Sequence, residues 1–182
     1  MEAALNIGSV VWFTGLPCSG KSTLAHLLHG SLKENGIPSE IFDGDIVRQR
    51  LTKGLGFSKE DRLENVRRIA FVAHLLARHG VVSIVAAISP YQEARDEIRK
   101  EIENYVEIFV DCPLDVCQSR DVKGMYKKAQ KGEIQHFTGV SDPYEVPRSP
   151  DLVVRTSLES QGESLSRILG YLTKNGNVCL AY

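Results

Sequence analysis

Residues 15–22 read Gly15-Leu16-Pro17-Cys18-Ser19-Gly20-Lys21-Ser22, two glycines with four residues between them and a lysine and a hydroxyl behind the second. The run before them, Ser9-Val10-Val11-Trp12-Phe13-Thr14, is β-branched and aromatic, and the run after them puts Leu24, Leu27, Leu28 and Leu32 on one helical face. Strand, glycine-rich turn and helix in that order make a loop whose successive backbone N–H groups converge on an anion at a helix N-terminus. Lys21 is then placed to reach the β- and γ-phosphates of a nucleoside triphosphate, and the Ser22 hydroxyl to hold Mg²⁺. The plain alternative is an ordinary strand-to-helix turn.

A chain of 182 residues is expected to form one domain, large enough to bury a two-sided core without staples. Lys+Arg 22 against Asp+Glu 23 leaves a formal charge of -1, so no global field calls for nucleic acid or an anionic membrane, and any anion site is local. Cys18, Cys112, Cys117 and Cys179 lack CxxC spacing and the histidines do not join them in a metal-ligand pattern. A reducing cytosol suits them. No apolar run approaches the roughly 18 residues that span a bilayer, and no secretory or transit pattern opens the sequence, so a cytoplasmic location is expected.

Strand-like and helix-like runs alternate. Strands are expected at residues 9–14, 40–43, 81–88, 106–111 and 152–154; helices at 21–32, within 45–79, at 92–103, 114–120 and 163–174. That alternation predicts an α/β fold, a mostly parallel five-stranded sheet covered on both faces, with ligands at the carboxyl ends of its strands. Residues 121–150 are the exception, with six glycines and prolines and no sustained apolar period. Arg120, Lys123, Lys127, Lys128 and Lys131 make their start basic, which fits a mobile lid over phosphates or a solvated helix face.

Asp43-Gly44-Asp45 closes the second strand, where a carboxylate can bind Mg²⁺ through water or take a hydroxyl proton; otherwise Asp45 is a helix N-cap and Asp43 a turn residue. The helix after Ser58 carries Asp61 at its third position, a variant of the capping box. Its apolar stripe of Ile69, Val72, Ala73 and Leu76, continued backward, lands on Asn65 and Arg62; with Arg48 nearby these are expected to form an anion-binding cluster, the alternative being a helix that simply emerges from the core. Phe13, Phe42, Phe71 and Phe109 read as core, whereas Phe57 and Phe137 lie in glycine-rich polar stretches where a ring can flank a heterocyclic base or pack under a loop. Ser89, in Ile88-Ser89-Pro90-Tyr91, stands at a strand end without an identifiable base, which favours substrate contact over a covalent role.

Together these segments resemble the adenylylsulfate (APS) kinase family over residues 9–172: the loop, Asp43-Gly44-Asp45-Ile46-Val47-Arg48, Gly54-Leu55-Gly56-Phe57, Asp61-Arg62 with Asn65, Arg67 and Arg68, and Ile88-Ser89-Pro90-Tyr91. The lid carries the most specific match, with Arg120-Asp121-Val122-Lys123-Gly124-Met125-Tyr126, Phe137-Thr138-Gly139 and Asp142-Pro143-Tyr144-Glu145. The resemblance implies a P-loop three-layer sandwich and transfer from MgATP to the 3′-hydroxyl of adenylyl sulfate, giving 3′-phosphoadenylyl sulfate. By the same resemblance, residues 15–22 with Thr23 and Arg120 bind ATP, while Ser22 and Asp43 hold the metal. Asp45, Arg48, Phe57, Arg62, Asn65, Ile88, Ser89, Lys123 and Phe137 match positions that hold adenylyl sulfate. Lys21, Asp43, Asp45 and Ser89 are the catalytic candidates, Ser89 matching a position often marked as a phosphoserine intermediate.

The departures are Pro17-Cys18-Ser19 within the loop, Ala87 before Ile88, and Met125 for a leucine; Cys18 raises the question of thiol oxidation. A homodimer is expected from the family, and with no sulfurylase segment in this sequence an ATP sulfurylase would act as a separate partner. The competing readings are a P-loop kinase for another small alcohol or nucleoside, and a catalytically silent nucleotide-binding module that regulates a sulfurylase.

Overall fold

The computed structural model describes residues 8–178, so Cys179 lies outside the described residues. The elements run β1 (Val10–Thr14), α1 (Lys21–Glu34), β2 (Ser39–Asp43), α2 (Gly44–Gln49), α3 (Lys59–Ala77), β3 (Val82–Ala86), α4 (Gln92–Glu101), β4 (Tyr105–Asp111), α5 (Leu114–Arg120), α6 (Met125–Gln130), β5 (Leu152–Arg155) and α7 (Gln161–Lys174). The strands form one five-stranded sheet in the order β2-β3-β1-β4-β5. Every pairing in it is parallel, so the expected mostly parallel sheet is wholly so.

Alternation along β1 divides the core into two layers. Val11 and Phe13 pack with Leu24, Leu28 and Leu32 of α1 and Ile168 and Leu172 of α7. Val10 and Trp12 face the other way, onto Val66, Ile69 and Ala73 of α3 and Ala94 and Ile98 of α4. Covered on both faces, β1 is an unbroken apolar run. It also lies between β3 and β4, so the chain leaves it in opposite directions on its two sides and a crevice opens at its carboxyl end. The glycine-rich loop stands at that crevice. Among the described residues no helix is long and apolar enough to cross a membrane.

Several boundaries and faces differ from the sequence expectation. The last helix begins at Gln161, because Ser160 and Glu163 form a reciprocal capping box two residues before the expected start. Asp43 is the N-cap of α2, accepting from the Asp45 N–H, so Asp45 is not the cap. The buried face of α3 runs through Arg62, Asn65, Val66, Ile69, Ala70, Ala73 and Ala77, with Val72 and Leu76 only half-buried at its edges. That register turns Phe71 outward to 67% exposure, so it is not a core residue. Phe42 and Phe109 are half-buried, the latter stacked on Tyr144.

Residues 121–150 also contain more structure than their composition implies. Helix α6 buries Tyr126 and Ala129. Tyr126 packs with Cys112 and Cys117 beneath the phosphate-loop side of the sheet, donates its hydroxyl to the Pro17 carbonyl at 3.1 Å and meets Phe137 edge-on at 5.0 Å. Two buried positions in a six-residue helix are too few to give a periodic signal.

Candidate active site

The loop owes its shape to a few steric facts. A Cβ at Gly15 would lie 2.6 Å from the Val110 carbonyl oxygen, and Gly20 holds φ 103°, a region closed to most side chains. Ser19 is wholly buried and its carbonyl accepts from the Thr156 hydroxyl at 2.7 Å. Lys21 folds back over the loop, donating to the Leu16 carbonyl at 2.6 Å and more weakly to the Ser19 hydroxyl at 3.4 Å. Burial pushes its ammonium down to about 8, because the lost hydration outweighs what nearby groups, the Asp43 and Asp45 carboxylates among them, give back.

In front of the loop the Ser22 hydroxyl donates to Asp43 Oδ2 at 2.6 Å. A hydroxyl and a carboxylate converging beside a phosphate loop form the oxygen-donor set that Mg²⁺ takes together with phosphate and water ligands. Among the described residues no group of three or more His, Cys, Asp or Glu side chains could hold a metal alone. Asp45, one turn away, is ion-paired to Lys123 of the lid, which raises the Lys123 ammonium and closes a contact across the cleft.

Beyond that contact the wall changes character. The Arg48 guanidinium lies 4.4 Å from the centre of the Phe57 ring and that of Arg62 lies 5.5 Å from it. Arg48 donates to the Gly56 carbonyl at 2.9 Å, and Arg62 to the Phe57 carbonyl at 2.9 Å and to the carbonyl of His136. The α3 cap shapes the same turn: Ser58 accepts from the Asp61 N–H at 3.1 Å while Asp61 accepts from the Gly56 N–H at 3.0 Å. Asn65 accepts from Thr52 at 2.8 Å with its carboxamide oxygen.

Lys21, Ser22, Asp43, Asp45, Arg48, Phe57, Arg62 and Asn65 line one cleft of about 1170 Å³, which also takes in Ile88, Ser89, Lys123 and Phe137. That exceeds the roughly 300–1,000 Å³ of a single small-ligand pocket and leaves room for two nucleotides end to end. Of the sequence candidates, Gly15, Leu16 and Ser19 do not line the cleft; they lie behind it and shape the loop. Arg120 lines it and donates to the Thr156 hydroxyl at 3.1 Å and carbonyl at 2.6 Å. Lys127, Lys128 and Lys131 are exposed and do not line it, so Lys123 is the lid lysine the structure brings to the site.

Three residues escaped the sequence reading. Thr156 ties Arg120 to Ser19. Thr138 lines the cleft almost wholly buried, with its hydroxyl unpartnered. Arg95, fully buried, donates to the carbonyls of Ser89 and Glu145 and to Gln92 Oε1. A threonine after a strand carries no local signal, whereas an arginine on the apolar face with Ala94 and Ile98 does.

Cys18 takes a left-handed φ of 60° and burial, with Asp121 nearby, holds its thiol above the ordinary range. It is therefore a poor nucleophile. Cys18→Gly, better suited to that backbone, is expected to keep turnover within about threefold. Iodoacetamide is expected to inactivate the wild type slowly at neutral pH and faster as pH rises; rapid neutral inactivation, prevented by Cys18→Gly, would contradict this.

A phosphate loop between the central strand and its helix, a hydroxyl–carboxylate pair before it and a second, arginine-lined half of the same cleft define a P-loop kinase of the small-molecule type. The family model described as adenylylsulphate kinase matches residues 7–155, and the chain belongs to that family. The adenylyl-sulfate kinase of Rippkaea orientalis is 56% identical over 173 residues, 92% of this chain and 96% of that protein. The APS kinase of Mycobacterium tuberculosis, solved in complex with AMPPNP and APS, aligns with a TM-score of 0.87 at 45% identity, covering 91% of this chain and 97% of that one. A probable bifunctional SAT/APS kinase of Sorangium cellulosum is 54% identical over 94% of this chain, which spans 29% of that longer protein.

Proposed function

We infer that the protein transfers the γ-phosphoryl group of ATP to the 3′-hydroxyl of adenylyl sulfate, giving ADP and 3′-phosphoadenylyl sulfate. The observation that carries this reading is the two-ended cleft: a phosphate loop at one end, and at the other two guanidinium groups gathered on an exposed aromatic ring. That second end suits a planar base joined to an anhydride of sulfate and phosphate, and family membership selects this ligand from others of its class.

In this account Lys21 leaves the Leu16 carbonyl for the β- and γ-phosphates, whose charge returns its ammonium to the ordinary range. Ser22 and Asp43 hold Mg²⁺, which supplies charge neutralisation on the transferring phosphoryl group. Arg120, fixed by Thr156, borders the ATP end. Phe57 and Phe137 flank the adenine of the acceptor, and Arg48, Arg62 and Asn65 engage its sulfate and phosphate. Lys123 exchanges Asp45 for substrate oxygens, which frees a carboxylate; Asp45 or Asp43 then takes the 3′-hydroxyl proton as that oxygen attacks phosphorus and the bond to ADP breaks. Little covalent work falls to the protein, because positioning and charge stabilisation dominate phosphoryl transfer. An ATP sulfurylase is the natural supplier of the acceptor, a reading supported by the joined SAT and APS kinase of Sorangium. Homodimer assembly, a cytoplasmic location and a single-domain organisation belong to the same proposal.

ADP release measured with a panel of acceptors tests it. Adenylyl sulfate is expected to stimulate release strongly, with adenosine 5′-monophosphate, nucleosides, gluconate and shikimate inert. Stimulation by one of the others in its place would overturn the assignment, and acceptor-independent binding of ATP alone would favour a regulatory module.

A further inference from the structure

Ser89 is held from two directions. Its residue is only 3% exposed and its backbone takes a left-handed φ of 46°, a conformation that a serine keeps only where its surroundings enforce it. Arg95 enforces it from the backbone side by donating to the Ser89 carbonyl. From the side-chain side, the indole Nε1–H of Trp12, at no exposure on the α3–α4 face of β1, donates to Ser89 Oγ at 2.9 Å.

The direction of that bond decides what Ser89 can do. An indole N–H is a donor only, so Oγ is the acceptor and the serine keeps its own O–H for another group. Among the described residues no protein acceptor takes that O–H, and Ser89 lines the acceptor half of the cleft. Trp12 cannot receive a proton, so the one side chain bonded to Oγ cannot serve as the base a serine nucleophile needs. A phosphate on Oγ would add about −1.5 to −2 of charge at this nearly buried position, against an indole ring. We propose that Trp12 is a positioning residue for the transfer: its N–H fixes the Ser89 hydroxyl as a hydrogen-bond donor to an oxygen of the acceptor substrate, and not as a carrier of phosphate. The inference rests on the reading of the cleft as an adenylyl sulfate site.

Trp12 is the sole tryptophan of the chain, so one indole N–H resonance reports the bond directly. In protein labelled with ¹⁵N-tryptophan, Ser89→Ala is expected to shift that resonance toward the position of an unbonded indole; an unmoved resonance overturns the contact. In steady-state kinetics Trp12→Phe, which keeps a ring and removes the N–H, is expected to raise KM for adenylyl sulfate about 3- to 10-fold, with KM for ATP unchanged. In a Ser89→Ala background the same change is expected to add nothing. If Trp12→Phe does not fold, benzothienylalanine at position 12, with sulfur in place of N–H, carries the same comparison. A wild type inert toward adenylyl sulfate would overturn the reading of function. An active wild type whose Trp12→Phe variant keeps its KM for adenylyl sulfate, loses affinity for both substrates alike, or adds to Ser89→Ala in full would overturn the role of Trp12.

Discussion

Replacing Lys21 by methionine is expected to lower turnover about 100- to 1000-fold while raising the unfolding temperature of the ligand-free protein. The two effects have one origin. An ammonium aimed at the phosphates is the one charged side chain that the loop itself, residues 15–22, offers the transferring group. Before ATP arrives that ammonium is buried with only a carbonyl and a weakly bonded hydroxyl for partners. Its folded pKa of about 8 lies below the roughly 10.4 of an unfolded lysine. The folded state therefore binds fewer protons than the unfolded state between those values, and stability rises with pH across that window. Below it the buried charge costs on the order of 3 kcal/mol, in full near neutral pH. Methionine removes this cost but leaves the Leu16 carbonyl without its donor, so a net gain of about 1–2 kcal/mol, or roughly 2–8 °C, is expected. Thermal unfolding of both proteins from neutral to alkaline pH checks the sign: the wild type should gain on the variant as pH rises. A variant less stable than the wild type throughout would show that the buried ammonium is not a cost.

Arg95→Met is expected to destabilise the protein by about 3–5 kcal/mol, close to 10 °C in unfolding temperature. Arg95 and Glu107 are both almost completely buried, with Arg95 Nε 3.1 Å from Glu107 Oε1. Removing the guanidinium strips charge from beside Glu107 and donors from the carbonyls of Ser89 and Glu145 at once. Arg99 remains, 3.1 Å from the other Glu107 oxygen, so the carboxylate is weakened and not abandoned. Burial already raises the Glu107 carboxyl above its ordinary range, and the variant should raise it further. A carboxyl with a raised folded pKa stabilises when protonated, so the deficit should shrink on acidification and be largest near neutral pH. Glu107→Gln should rescue part of the loss, giving a double variant more stable than Arg95→Met alone. Strict additivity in urea unfolding would contradict the coupling.

How far the sequence could reveal these features depended on the range of the interaction. The phosphate loop was legible because its chemistry is contiguous: Gly15 to Ser22 carry the turn, the charge and the hydroxyl in one stretch. The polar residues on the α3 stripe were legible because a helical period is a local ruler, and Arg62 and Asn65 do lie on the buried face. Phe71 reads as core because it falls in an apolar helical run, yet it lies off the buried stripe of that helix and faces outward. What stayed hidden depends on long-range closure. Trp12 reads as an ordinary core aromatic until β1 is set beside the Ser89 turn 77 positions away. Thr156 meets the loop across 137 positions, and Tyr126 meets Pro17 across 109. Hydrophobic pattern and composition contain nothing about such pairs, and α6, which Tyr126 anchors, is legible in the sequence only as the alternative of a solvated helix face.

The bond that the enzyme makes can be identified by isolating the product formed from ATP, Mg²⁺ and adenylyl sulfate and locating its new phosphate through the coupling of phosphorus to the ribose protons. The expected product chromatographs as 3′-phosphoadenylyl sulfate, with the new phosphorus coupled to the 3′ proton and one ADP formed for each. Recovery of unaltered adenylyl sulfate, or a phosphate at any other position, would contradict it.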